Sequence, residues 1–172
     1  MNNVINIRAY HETYQEHVIA LILAIQRAEF NIPITREDQP DLCSIPNFYQ
    51  VNNGNFFVAL YGERVVGTIG LLDIGLGYGA LRKMFVKQEY RGKVCKTASL
   101  LLNQLLQWSN DRGFKKIYLG TTPQFLAAHR FYEKNGFQEI VMEELPSNFP
   151  IMKVDKKFYR LALAGPNGDV QG

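Results

Sequence analysis

Three cations, Arg91, Lys93 and Lys96, crowd around Gly92 in the stretch EYRGKVCKT, immediately ahead of a run with helical spacing. The first backbone N–H groups of a helix have no intrahelical partner, and the helix dipole is positive at that end. Cations beside such N–H groups attract phosphate, so this turn is the natural anion site of the chain. Other chemistry is poorly provided for. No His, Cys, Asp or Glu group has metal-ligand spacing, so no metal is expected. No glycine-rich run ends in Gly-Lys-Ser/Thr, which excludes the phosphate loop of a nucleotide hydrolase. Cys95, near the helix start, reads as a buried, inert thiol rather than an activated one.

Positioning an anion site of this kind requires a strand, a turn and a helix, and residues 81–113 supply them. Residues 81–86 are apolar and aromatic enough for a buried strand, and the charge of residues 87–92 breaks that pattern. Val94, Ala98, Leu101, Leu102, Leu105 and Trp108 then fall on one helical face. Gly113 follows the helix where a left-handed cap is wanted.

The flanking segments read in order. Val4, Ile5 and Ile7 predict a first strand, and residues 11–30 a helix with Val18, Leu21, Ile22 and Ile25 on one face. Pro33, Pro40 and Pro46 divide the next stretch into short pieces, with short helices expected over residues 41–44 and 47–51. Residues 55–61 and 64–73 predict a hairpin around Gly62-Glu63, and the glycines of residues 74–79 a further turn. Beyond the long helix come a strand over 116–119 and a helix over 124–134, capped by Thr121 or Thr122 with Pro123 in its first turn. Strands over 137–141 and 156–163 end the pattern, with a proline-containing connection between them. The strands on either side of the long helix are joined by a helical crossover and are expected to be parallel neighbours. The fold class is therefore α/β (α+β): a mixed, mostly antiparallel sheet of about seven strands with helices on both faces. Ligands in such sheets sit at the carboxyl ends of strands where neighbours part, and residues 87–92 lie at such an end.

With 172 residues and ordinary composition, the chain reads as one domain over 1–164 with a fraying tail over 165–172. A net charge of +3 suits a small anionic ligand and gives no argument for nucleic acid. Cys43 and Cys95 form no spaced pair, so a disulfide framework and a thiolate metal site are not expected, and a reducing cytoplasm is. No apolar run is long enough to span a bilayer, and the first residues lack the pattern of a secretion signal.

Three stretches together resemble the GNAT superfamily of acyl-CoA-dependent N-acetyltransferases. FFVALYGERVVGTIGLLD is similar to the family's second and third strands. FVKQEYRGKVCKTASLLLNQLLQWSNDRGFKKIYLGT is similar to its cofactor motif, and AAHRFYEKNGF to its second motif. The resemblance implies that acyl-CoA sits in a wedge between the central strand and the strand from Lys116. The pantetheine arm would meet backbone groups of Met84, Phe85 and Val86. The pyrophosphate would meet the loop of Arg91, Gly92, Lys93, Val94, Cys95, Lys96 and Thr97. Ala128 and Phe131 belong to the second motif, and Phe125 stands where the family often has asparagine, so a contact to the pantetheine is lost or replaced by apolar packing. Two positions of the loop that are small in the family are Val94 and Lys96 here; the Val94 side chain is expected to point into the core, leaving its N–H available.

Acetyl transfer to an amine needs a polarised thioester carbonyl, a neutral amine, close alignment and protonation of the leaving thiolate. Backbone N–H groups near Phe85 and Val86 are placed to polarise the carbonyl. The resemblance assigns the acid to Tyr132; packing beside Phe131 in the core is the alternative. The strands ALRKMFV and KIYLGTT contain no acid, so Glu29, Asp38, Glu63 and Asp73 are candidate bases only by expected proximity, beside a water relay. His129, three residues before Tyr132 on the second-motif helix, reads as a partly exposed histidine with a base role as the alternative, and His11 and His17 read as surface residues. Tyr10, Tyr14, Phe48, Tyr49 and Tyr159 are either acceptor-pocket or core residues. Carboxylates at Glu29, Glu37, Asp38 and Asp41 would favour a cationic acceptor. The expected function is transfer of an acetyl group from acetyl-CoA to a primary amine of a small molecule or peptide, with homodimerisation possible and no nucleic acid or membrane as partner. The competing reading is a non-catalytic acyl-CoA-binding or interaction module on the same fold.

Overall fold

The computed structural model describes residues 4–92 and 96–164. Lys93, Val94 and Cys95 of the anion loop, and the tail over 165–172, lie outside the described residues. The strands are β1 (Ile5–Ala9), β2 (Asn55–Tyr61), β3 (Arg64–Gly75), β4 (Tyr78–Val86), β5 (Lys116–Thr121), β6 (Gln138–Ile140) and β7 (Lys157–Ala162). The α-helices are α1 (Gln15–Leu23), α2 (Ile45–Phe48), α3 (Thr97–Asp111) and α4 (Leu126–Lys134). The strands form one sheet in the order β1-β2-β3-β4-β5-β7-β6. Every neighbouring pair is antiparallel except β4 and β5, which α3 joins as parallel partners.

Burial on both faces explains the near-continuous apolar reading of β2. Phe57 and Ala59 point into the cluster under α3, with Ile69, Leu71, Leu101 and Leu105. Phe56, Val58 and Leu60 point the other way, onto Val18, Ile22, Leu42 and Ile45 of the α1 and α2 side. The expected face of α3 is the buried one: Leu101, Leu102 and Leu105 are sealed, and Trp108 is half-buried.

Several boundaries differ from the sequence reading, each for a local reason. The helix expected over 11–30 starts with a 3₁₀ turn (Glu12–Tyr14), becomes α1, and widens to π-helical geometry over Ala24–Glu29. The short helix expected over 47–51 starts earlier, at Ile45, because Pro46 is tolerated in a first turn where no N–H partner is needed. The β3–β4 turn shrinks to Leu76-Gly77, both at positive φ, and the strands extend to meet it. The cap predicted at Thr121 or Thr122 is absent: Thr121 ends β5, Phe125 precedes α4 with no side-chain cap, and the Thr122 hydroxyl is buried without a partner.

Two features position the site. Parallel pairing of β4 and β5 covers only three rungs, Tyr78↔Lys116, Gly79↔Ile117 and Ala80↔Tyr118, after which the strands part. On its other edge β4 carries a bulge: Thr68 pairs with Phe85 but Gly70 with Arg82, so β4 uses one extra residue there. Lys83 takes the left-handed conformation at φ 56°, and Thr68 Oγ1 donates to its carbonyl at 2.7 Å.

Gly54 seats the α2 segment against β3. A Cβ there would lie 2.3 Å from the Tyr49 carbonyl oxygen and 2.7 Å from that of Leu71. Because both are backbone atoms, Gly54→Ala is expected to destabilise the fold by about 3 kcal/mol, read as a lower midpoint in urea denaturation at unchanged slope.

Candidate active site

The gap between β4 and β5 opens into two cavities that share a wall. The larger, about 390 Å³, is lined by Met84, Phe85, Val86, Arg91, Gly92, Phe125, Ala128, Phe131 and Tyr132, together with Ile25 and Phe30 from the amino-terminal helix. Nine of the fourteen residues nominated from sequence are therefore gathered in one place. Thr97 is fully buried at the start of α3, its methyl facing Gly67 of β3, and it lies behind the cavity rather than on its wall. Lys96 is exposed and sits in the left-handed region at φ 54°, the conformation that favours glycine. Its N–H reaches the Gly92 carbonyl at 3.0 Å, closing the turn into α3. Gly92 has φ 94°, and space is open where a Cβ would stand, as a backbone that must approach a phosphate requires.

The smaller cavity, about 100 Å³, lies on the other side of Tyr132. Arg82, Lys83, Thr121, Thr122, Gln26 and Asp155 supply its polar lining, and Ile32, Ile34, Phe149, Pro150, Met152 and Val154 its apolar lining. Met84, Phe85, Thr121, Phe125 and Tyr132 border both cavities. Phe125 acts as a partition: its ring packs edge-on against Phe30 at 4.7 Å and Phe85 at 6.0 Å between centroids.

Tyr132 is 4% exposed and packs against Phe131, Phe137 and Tyr159. Burial, with a smaller contribution from Tyr159, pushes its phenol well above the ordinary tyrosine value, so it carries its proton at neutral pH. No hydrogen bond engages its hydroxyl among the described residues, whereas the Tyr159 hydroxyl is held by Glu133 at 2.6 Å.

The carboxylates proposed from sequence lie elsewhere or are already engaged. Both terminal guanidinium nitrogens of Arg91 donate to Glu29, Nη2 to Oε2 at 2.7 Å, and Arg91 Nε donates to the Val86 carbonyl at 2.8 Å. Asp38 closes a local turn on Thr35. Asp73 accepts from the N–H groups of Asn53 and Gly75, at the end of the sheet where β4 begins. Glu63 is exposed in the β2–β3 turn. Asp41 is buried, accepting the Tyr49 hydroxyl at 2.6 Å, with Lys83 Nζ at 3.8 Å. None of Glu29, Glu37, Asp38 and Asp41 lines either cavity, so they give no argument for a cationic acceptor there, and the smaller cavity presents Arg82 and Lys83.

Asp155, just ahead of β7, is the acid that sequence reasoning missed. It is 9% exposed and lines the smaller cavity. Its Oδ2 accepts from the Met152 N–H at 3.2 Å. Desolvation raises its pKa above the ordinary aspartate value, against the lowering effects of that hydrogen bond and of Arg82 and Lys83. The signal for it was Gly120 in β5, since a glycine inside a strand often marks a close approach. A Cβ at Gly120 would lie 2.7 Å from Asp155 Oδ2. His129 also departs from the partly exposed reading: it is buried, with Nε2 donating to the Thr122 carbonyl at 2.9 Å. Tyr10, Tyr49 and Tyr159 are core residues. Among the described residues there is no cluster of His, Cys, Asp and Glu fit to hold a metal, and no helix is long and apolar enough to cross a membrane.

A mixed sheet whose one parallel pair parts over two joined clefts, with a helix start at the mouth of the larger, is the framework of an acyl-CoA-dependent transferase. Residues 19–137 match the acetyltransferase (GNAT) family, and the chain belongs to that family. A GNAT acetyltransferase from Staphylococcus aureus Mu50 is 42% identical over 93% of this chain and 99% of its own, with a TM-score of 0.89. The PaiA N-acetyltransferase of Thermoplasma acidophilum, solved in complex with coenzyme A, is 18% identical and shares the fold over 94% of this chain and 99% of its own, with a TM-score of 0.69. The N-acetyltransferase YobR of Bacillus subtilis is 30% identical over 49% of this chain. The alignment spans only 33% of that relative's length.

Lys83 gives a test of the buried polar cluster. Its Nζ donates to Gln39 Oε1 at 2.5 Å, Gln39 is joined to Gln26 by two side-chain hydrogen bonds, and the lysine side chain is 8% exposed. Burial lowers its pKa from 10.5 to about 8, with Asp41 opposing the shift. Between those values the unfolded chain holds a proton that the folded chain has lost, so stability rises with pH across the window from about 8 to 10.5. In Lys83→Met that gain is expected to vanish. Urea denaturation of both proteins across the window measures it as a difference in slope against pH.

Proposed function

We propose that the chain transfers an acetyl group from acetyl-CoA to a primary amine of a small molecule by direct transfer. The observation that carries this reading is the pair of cavities meeting at Tyr132: one is bordered by the helix-start loop and Arg91, the other by a buried carboxylate. Residues of the larger cavity fit the coenzyme. Gly92 leaves room for phosphate, and among the described residues the edge of β4 beyond Ala80 has no strand partner on the β5 side, leaving backbone groups for a pantetheine arm. The coenzyme complex of the Thermoplasma protein supports coenzyme A as the ligand of this fold.

The residues divide the work. The smaller cavity holds the acceptor, and Asp155 takes the proton shed by the amine nitrogen as the C–N bond forms. The backbone near Phe85 and Val86 polarises the thioester carbonyl. As the C–S bond breaks, Tyr132 gives its proton to the departing sulfur, leaving free CoA and an acetamide. The phenolate is returned to the neutral form by solvent, because burial strongly disfavours its charge. Apolar walls from Phe30, Phe85, Phe125 and Phe131 keep water from the thioester. The binding-only alternative gives no role to a second cavity furnished with an acid.

Tyr132→Phe is expected to lower kcat by roughly 100-fold while calorimetric CoA affinity changes little; unchanged turnover would remove the acid from Tyr132. Asp155→Asn is expected to lower kcat/KM by a similar factor and to abolish an acid limb lying above the ordinary aspartate range. The limb follows from the sign of the shift: the base must be ionised, so activity rises as pH passes its raised pKa. A pH profile of both proteins with acetyl-CoA and an amine acceptor measures it.

A further inference from the structure

Arg82 is not explained by the transfer chemistry. It sits on β4 in the smaller cavity, half-buried, with Nη2 against the Met152 sulfur at 3.3 Å and its guanidinium over the rings of Phe48 at 5.5 Å and Tyr49 at 5.9 Å. Among the described residues it forms no ion pair with a carboxylate. A thioether is a weak acceptor, so a guanidinium with five donors is held in place by aromatic faces while most of its hydrogen-bonding capacity is unused. Its neighbour Lys83 is, by contrast, satisfied internally by Gln39 and Asp41.

Asp155 lines the same cavity and feels Arg82 electrostatically, yet the two do not close on one another. The Asp155 carboxylate is instead turned to the Met152 N–H. Among the described residues that line it, the cavity holds one free cation and one acid, kept apart, and is thus complementary to a ligand that carries both charges. The remaining wall of Ile32, Ile34, Phe149, Met152 and Val154 is apolar, and the cavity of about 100 Å³ suits a small molecule rather than a protein surface.

Resting on the acetyl-transfer reading above, we propose that the acceptor is a free amino acid with an apolar side chain. Its carboxylate is clamped by the two-pronged guanidinium of Arg82, and its amino nitrogen is aimed between Asp155 and Tyr132. Arg82 is then the residue that determines specificity for the carboxylate, a role the planar guanidinium fulfils and an ammonium does not.

The test compares L-leucine, L-phenylalanine and L-methionine with the amines they yield on decarboxylation, using acetyl-CoA and the wild-type enzyme. The amino acids are expected to exceed their amines in kcat/KM by roughly 100-fold. In Arg82→Gln that preference is expected to fall below about tenfold, through a higher KM for the amino acid rather than a lower kcat, with Arg82→Lys recovering only part of it. Calorimetric CoA binding by each variant confirms that it is folded. Equal or better turnover of the amines, or a preference that survives in Arg82→Gln, would overturn the amino-acid assignment and leave acetyl transfer standing. No turnover of either series would overturn both.

Discussion

The parting of β4 from β5 is the constraint on which the molecule depends. Backbone N–H and C=O groups need partners, and a parallel pair normally provides them along its length. Here pairing stops after three rungs, and the edge of β4 that follows faces two cavities instead of a strand. What holds the strands together below the gap is buried packing: Gly79 meets the side chains of Leu71, Phe114 and Ile117. What keeps them apart above it is the material wedged in from both sides, Phe125 and Tyr132 from the α4 segment and Asp155 from the approach to β7. The bulge at Lys83 belongs to the same design, since the extra residue redirects β4 at the level where the gap opens.

The sheet was legible because its signals are local. Residues 55–61 form β2 as predicted, and the run of the hairpin, the central strand and the crossover helix left little freedom in topology. The long helix was found by its apolar spacing, and among the described residues it runs from Thr97 to Asp111. Most of the residues nominated for the larger cavity were reachable through the family resemblance, because they come from two continuous stretches, the end of β4 with its turn and the α4 segment.

The smaller cavity was not legible, and the reason is physical. Its groups come from Gln26 on the π-helical turn, Arg82 and Lys83 on the bulge, Thr121 and Thr122 beyond β5 and Asp155 before β7, so no spacing rule links them. Charge in the sequence also misled. Asp41 counted toward a cationic acceptor and is a buried partner of Tyr49 and Lys83; Glu29 looked like a possible base and is the counter-ion of Arg91. Whether a charge is available depends on what faces it in three dimensions, which residue type alone does not reveal. Gly120 was the one local clue to Asp155, and Lys83 shows a left-handed conformation that nothing in its residue type announces.

The ion pair between Glu29 and Arg91 has a consequence for the order of events at the two cavities. An incoming polyanion that claims the guanidinium must compete with a carboxylate already seated on it. Glu29 ends the same widened turn that brings Ile25 to one cavity and Gln26 to the other. Eviction of Glu29 therefore loosens the tether on a segment bordering the neighbouring compartment. By thermodynamic reciprocity, any change that one occupant makes in the affinity for the other is the same factor in either order of addition, so a coupling through Glu29 would be felt equally from both compartments.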